Sequence, residues 1–164
     1  MKYLTETKMK KGFVLLYTVI VISIVSVIAA GVFDIVIKEI ILSESARESR
    51  ISFYAADTGV ECLFYWDIKH PGFNNTVFAT SSNSTPPTSG VVCAGTDIAS
   101  GWTISNITSS SATTQFELNY PDGSCSSVSV AKSNGSTVIE SRGYNVSCGS
   151  DSSQKVERGL KVTY

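Results

Sequence analysis

The side chains in this 164-residue sequence that could do chemistry are few and scattered. Cys62, Cys93, Cys125 and Cys148 form no CxxC pair. The single histidine, His70, stands in "KHPGF", with no helical partner and no spacing that fits a zinc motif. Serine is abundant, yet there is neither a GxSxG elbow nor a glycine loop built to cradle phosphate. Catalysis requires nucleophile, acid and base to converge, so no catalytic residue, cofactor or metal is expected and the chain does not read as an enzyme. Asp97, Asp122 and Asp151 fall in turn-forming sequence, where ordinary turn chemistry outweighs a calcium site. For the cysteines, disulfides are the natural chemistry in an exported chain with a modest core. Four cysteines allow three connectivities. Cys62–Cys93 and Cys125–Cys148 are favoured because each closes a local loop, the first at a helix end and the second over a hairpin.

The element that dominates the chain lies upstream of all four. Phe13 to Phe33 carries no formal charge and is rich in Val and Ile, long enough to cross a bilayer core as a helix. Before it, Lys2, Lys8, Lys10 and Lys11 face one acid, Glu6; after it come Asp34, Lys38, Glu39 and Glu44. Lysine favours the cytoplasmic side, so the expected topology is single-pass in the cytoplasmic membrane, N-terminus inside. A secretory signal peptide cut near Ala29-Ala30-Gly31 would have a shorter apolar core. A permanent anchor would fit the run itself, and a membrane-anchored, non-polymerising surface-binding module is the alternative that follows from it.

The helical pattern does not stop at the membrane boundary. From Phe13 to about Asp67 there is no proline, and the only glycines are Gly31 and Gly59. One continuous helix over 13–67 would be roughly 80 Å long. In its second half Ile51, Ala55, Gly59, Cys62 and Trp66 recur at helical spacing, and the small Ala55, Ala56 and Gly59 leave room for a sheet to pack close. A plain anchor needs no such continuation.

The order "KKGF", apolar run, amphipathic continuation resembles the prepilin signal and stem of type IV pilins and related pseudopilins. The "FYAAD" stretch resembles the helix-middle sequence of family members that lack a usual glutamate, among them PilX-type minor pilins. The resemblance covers about the first third of the chain. It implies a leader of residues 1–12, cleavage by prepilin peptidase after Gly12 and N-methylation of Phe13. It also implies assembly through the apolar helix with other pilin subunits, driven by the pilus assembly machinery, into an extracellular filament. Tyr17 occupies the fifth mature position, where most of the family has a glutamate that neutralises a neighbour's amino terminus. A phenol is neutral until about pH 10 and offers only a hydrogen bond. This departure fits a minor subunit at a filament tip, where no incoming ammonium must be neutralised. Asp34, just beyond the apolar run, reads as a membrane–water boundary residue, with an ion pair to Lys38 as the functional possibility.

His70-Pro71-Gly72 is the expected helix stop. Residues 68–101 read as a helix-to-sheet loop, with "TSSNSTPPTSG" extended and exposed. From residue 102 the period becomes two. "WTISNI", "TTQFELNY", "SCSSVSVAK", "TVIESRGYNV" and "KVERGLKVTY" alternate, "PDG" and "SNGS" mark turns, and Gly159 reads as a bulge. The expectation is an α+β fold: a long helix packed on an antiparallel sheet of about four strands over 102–164, the pilin ladle. Serine-, threonine- and asparagine-rich loops are compatible with glycans on composition alone. Beyond Asp67, six lysines and arginines face six acids. That leaves no net field for phosphates, and nucleic-acid binding is not expected.

Overall fold

No proline interrupts Lys11 to Lys69, and in the computed structural model the backbone is helical throughout. Residues 11–69 and 76–164 are described; the leader through Lys10 and the expected stop at His70-Pro71-Gly72 lie outside the described residues. Helix α1 spans Lys11–Phe64 and closes with one π-helical turn, Tyr65–Lys69. The chain divides into two units, Met1–Glu44 and Ser45–Tyr164.

Within the second unit, α1 packs on a five-stranded antiparallel sheet in the order β3-β4-β5-β6-β7. The strands are β3 (Thr103–Ser105), β4 (Ser111–Asn119), β5 (Cys125–Ser133), β6 (Ser136–Tyr144) and β7 (Glu157–Thr163). The sheet therefore has one strand more than the four expected. The fifth is the short edge strand that the alternation of "WTISNI" suggests, held because Trp102 packs against Phe78 at 5.8 Å and Ile104 pairs with Thr114. Gly159 is not a bulge: it sits opposite Arg142 in an uninterrupted β6–β7 ladder. The β5–β6 turn places Asn134 at φ 50° and Gly135 at φ 83°, the left-handed pair that a two-residue hairpin requires.

The segment expected to be a loop contributes much of the core. It folds a two-stranded hairpin, β1 (Val92–Cys93) and β2 (Thr96–Asp97), followed by a 3-10 turn at Ile98–Ser100. Val77, Phe78, Ala79, Val91, Ile98 and Ala99 are all buried, and Phe78 stacks on Phe116 with ring centroids 6.4 Å apart. The middle of the segment, Thr80 to Gly90, is mostly exposed. The sheet contributes Phe116, Leu118, Val128, Val130 and Ile139 to the same core, and the helix Val60 and Leu63.

Disulfides join Cys62 to Cys93 and Cys125 to Cys148, with Cα atoms 5.9 and 5.4 Å apart. The first ties the end of α1 to β1; the second closes over the β5–β6 hairpin. Each removes conformational freedom from the unfolded chain, worth about 2–4 kcal/mol.

The buried helix face consists of Ser52, Ala55, Ala56, Gly59, Val60, Leu63 and Trp66. It is turned slightly from the expected face, leaving Ile51 and Cys62 half-buried at its margin. Small residues dominate because the backbones nearly touch. A Cβ on Gly59 would stand 2.6 Å from Ser141 Oγ and 2.9 Å from Val128 Cγ2. A Cβ on Gly143, in β6, would collide with the Ser52 carbonyl oxygen and the Ala56 nitrogen. Hydroxyls bridge the same seam: Ser141 Oγ donates to Ala56 O at 2.7 Å and Tyr120 OH to Ala55 O at 3.1 Å. Ser52 Oγ lies 2.8 Å from Val156 O.

Gly143→Ala meets backbone that cannot swing aside, so it should destabilise the protein by about 1–3 kcal/mol, the usual cost of overpacking. Thermal unfolding by circular dichroism in detergent reads this as a lowered midpoint; an unchanged midpoint would show that the seam yields.

Candidate functional site

The surface most in need of a partner is the first half of α1. All 21 residues from Phe13 to Phe33 are uncharged, and every one is exposed, as are the residues on to Leu42. At 1.5 Å per residue those 21 residues span about 32 Å, matching a hydrocarbon core of about 30 Å. The run is apolar on all sides, which distinguishes a lipid-facing helix from one that buries a stripe. It displays 14 Val, Leu, Ile and Phe side chains. At about 1.5–3 kcal/mol each, leaving them in water costs on the order of tens of kcal/mol. Its aliphatic hydroxyls are already satisfied: Thr18 Oγ1 donates to Leu15 O, Ser23 Oγ to Ile20 O and Ser26 Oγ to Ile22 O, at 2.7–2.8 Å. No backbone polar group along the helix interior needs water. Among the described residues there is thus one helix long and apolar enough to cross a membrane, near the N-terminus.

Gly12 and Phe13 lie in the first turns of α1, and Phe13 is exposed. Tyr17 is 62% exposed, and its hydroxyl has no partner among the described residues. Asp34 is likewise exposed, and no ion pair joins it to Lys38. Glu48, farther along, accepts a hydrogen bond from Asn145 Nδ2 at 2.9 Å and so belongs to the sheet unit.

Among its described residues, the sheet unit holds one buried charged cluster. In the π turn, Asp67 is buried against Lys132 of β5, whose Nζ lies 2.8 Å from the carboxylate. Tyr164 OH donates to Asp67 Oδ2 at 2.5 Å, the Thr76 hydroxyl donates to Oδ1, and Lys132 Nζ donates to Thr137 Oγ1 at 3.1 Å. Every charged atom has a partner, and no nucleophile or base is left over. The cluster fastens the helix end, the following segment and strands β5 to β7 at one point. The Tyr164 hydroxyl is raised well above its ordinary value by burial, by its hydrogen bond to Asp67 and by that negative charge.

Asp97 and Asp122 serve turns, as expected for them. Asp97 accepts from the N–H groups of Gly90 and Ala99 at 2.7 and 3.1 Å. Ser124 donates through its hydroxyl and its N–H to Asp122, holding that carboxyl below its usual range. A hollow of about 540 Å³ on the sheet is lined by Thr103, Gln115, Glu117, Ser127 and Ser129, hydroxyls and one amide around a single free carboxylate. Among the described residues, the place where three potential metal ligands meet is Glu117 with Cys125 and Cys148, whose sulfurs are joined to each other and offer no thiolate. His70 lies outside the described residues. No sequence signal linked Asp67 to Lys132, 65 residues apart.

No family model, no curated protein and no solved structure matches this chain.

Lys132→Met strands a buried carboxylate and should cost about 3–5 kcal/mol. The double variant Lys132→Met with Asp67→Leu should recover much of that loss in chemical denaturation. Additive losses would show that the two side chains act separately. Raised in the folded state, the Tyr164 phenol keeps a proton that the unfolded chain releases near pH 10. Its contribution to stability is full below that pH and is lost as pH rises through the folded value. Burial raises Tyr120 and Tyr144 as well, so alkaline titration of tyrosinate absorbance should show a late-ionising set that loses its last member in Tyr164→Phe; an unchanged late phase in that variant contradicts this.

Proposed function

We propose that this chain is a structural subunit of a type IV pilus or related filament, and a minor rather than a major one. The observation that carries the reading is the continuity of α1. An uncharged, all-round apolar segment of membrane length runs without a break into a segment clamped on a disulfide-stapled sheet. A signal peptide has no use for that continuity, because it is removed, and an anchor does not require it. On this reading the segment 13–33 stores the subunit in the cytoplasmic membrane after prepilin peptidase has cut behind Gly12. The assembly machinery then moves it from lipid into a bundle of like stems. Both surroundings are apolar, so the difference in free energy per residue is small and modest work suffices. The sheet unit, facing outward, carries whatever the filament touches. No enzymatic activity, cofactor or nucleic-acid ligand is proposed.

Mass spectrometry of the mature protein tests this directly. The expected N-terminus is N-methylated Phe13; an intact Met1 would identify a permanent anchor and favour the non-polymerising surface-binding module, and a start near Val32 a cleaved signal peptide. Tyr17 distinguishes minor from major. At a filament tip a carboxylate at this position meets no ammonium, and an unpaired charge in hydrocarbon costs about 2.5–3.5 kcal/mol. Tyr17→Glu should therefore lower incorporation into sheared filaments roughly tenfold or more, read by quantitative immunoblot; increased incorporation would instead mean that the site receives a neighbour's amino terminus.

A further inference from the structure

Five Asn-x-Ser/Thr triplets occur in the chain, at Asn74, Asn83, Asn106, Asn134 and Asn145. The triplet is the acceptor pattern for N-linked glycosyl transfer on a surface loop of an exported domain. The pattern alone is frequent in sequence rich in serine and threonine, but the folded chain sorts the sites. Asn74 lies outside the described residues. Asn145 is committed to the fold: its Nδ2 donates to Glu48 Oε2 and Gln154 O at 2.9 and 3.0 Å, and its Oδ1 accepts from Val156 N at 2.7 Å. Replacing an Nδ2 hydrogen with a sugar would break the tie between β6, β7 and α1.

Asn83, Asn106 and Asn134 are all exposed, and their side-chain amides have no partner among the described residues. The triplet's hydroxyl must also be reachable. Thr108 Oγ1, which serves Asn106, accepts from the N–H groups of Ser110 and Ser111 and pairs with Ser111 Oγ. Thr85 and Ser136, which serve Asn83 and Asn134, are exposed with hydroxyls free among the described residues.

A second observation points the same way. The turns that carry these asparagines are tied into one pole of the sheet unit. Ser82 N–H donates to Thr108 O at 2.7 Å, and Asn134 N–H to Ser110 O at 3.2 Å. Thr80, Ser110 and Asn134 line one hollow. Residues 80–90, 106–111 and 133–136 contain no Asp, Glu, Lys or Arg. Soluble protein surfaces carry charge on about a quarter to a third of their residues. Apart from Lys132, which lines the same hollow and is paired with Asp67, this pole keeps hydroxyls and amides without charges, as a surface can when a covalent glycan supplies the hydration.

We propose that Asn83 and Asn134 are N-glycosylated and that Asn106 and Asn145 stay bare. The donor is an oligosaccharide linked through phosphate to an isoprenoid lipid. The Asn Nδ2 forms a bond to the anomeric carbon as the anomeric C–O bond to phosphate breaks, the amide loses one proton and the lipid phosphate leaves. The proposal rests on the outward-facing sheet unit of the preceding reading, for which the two disulfides are independent support.

Glycopeptide mass spectrometry of the protein isolated from its own cells tests it. Glycan is expected on the peptides containing Asn83 and Asn134. Thr85→Ala and Ser136→Ala should each abolish it at their own site without disturbing the turns; replacing Asn134 itself would strain a backbone at positive φ. Bare peptides at both sites, or glycan at Asn145, overturn the proposal. The same spectra read the N-terminus. Bare asparagines on a chain that begins with methylated Phe13 sink this proposal alone, whereas glycosylated asparagines on a chain with intact Met1 keep it and sink the filament.

Discussion

The sheet unit depends on how closely one backbone lies on another. Where Gly143 of β6 faces Ser52 and Ala56 of α1 there is no room for a Cβ, and Gly59 meets Ser141 and Val128 with almost none to spare. Contact this close excludes water and brings hydroxyls within reach of helix carbonyls, so Ser141 and Tyr120 bond across the seam. It also limits what the seam can contribute to the core, because serine, alanine and glycine bury little apolar area. The larger apolar groups are displaced toward one end, where Leu63, Phe78, Phe116, Leu118 and Ile139 gather. A core so confined is small for its chain, and the two disulfides and the Asp67–Lys132 cluster reinforce its borders.

The same helix satisfies two different solvents in sequence. Before Asp34 its side chains are uncharged in every direction, and the hydroxyls of Thr18, Ser23 and Ser26 are bonded back to their own turns. After Ser45 one face is small and buried, and the opposite face keeps Tyr54, Asp57, Thr58 and Glu61. No local propensity marks the change. Helix geometry is uniform, and only the radial distribution of side chains alters, from lipid-compatible all round to sheet on one side.

Much of this was legible in the sequence. The α+β class follows from the shift of period from 3.6 to two. The inward Phe116, Leu118, Val128 and Val130, and the Asn-Gly turn, are where alternation puts them. The buried helix face is turned slightly from the one that Ile51, Ala55, Gly59, Cys62 and Trp66 define; at Ser52 close backbone contact favours a small hydroxyl over the large hydrocarbon of Ile51. The segment after the helix looked like a loop because its apolar residues are sparse. Sparse is not exposed: Val77, Phe78, Val91 and Ile98 are anchors between polar spans, a pattern with no period to detect. Strand β3 is only three residues long, and its place is set by Trp102 on Phe78, a contact between distant segments. The Asp67–Lys132 pair is still less visible. Each residue taken alone resembles an ordinary surface charge, and only the fold brings them together.

For the stem, the polar groups that discriminate between environments are very few. Lipid and a bundle of apolar helices solvate Val, Ile and Leu almost equally, so those residues hold the segment out of water without choosing between the two. Thr18, Ser23 and Ser26 are also indifferent, since their hydrogen bonds are internal and travel with the helix. Tyr17 and Asp34 remain, both exposed and neither bonded to any described residue of its own chain. They lie 17 residues apart, about 25 Å along the axis. In a filament, one would meet an opposing surface near the start of the apolar run and the other at its far boundary. A partner that offers Tyr17 a hydrogen bond and Asp34 a cation gains on both; a partner that offers neither leaves Asp34 to find water at the membrane edge. On the filament reading, the choice of neighbour is concentrated in these two side chains, while the 14 large aliphatic and phenyl groups between and around them set only how firmly water is excluded.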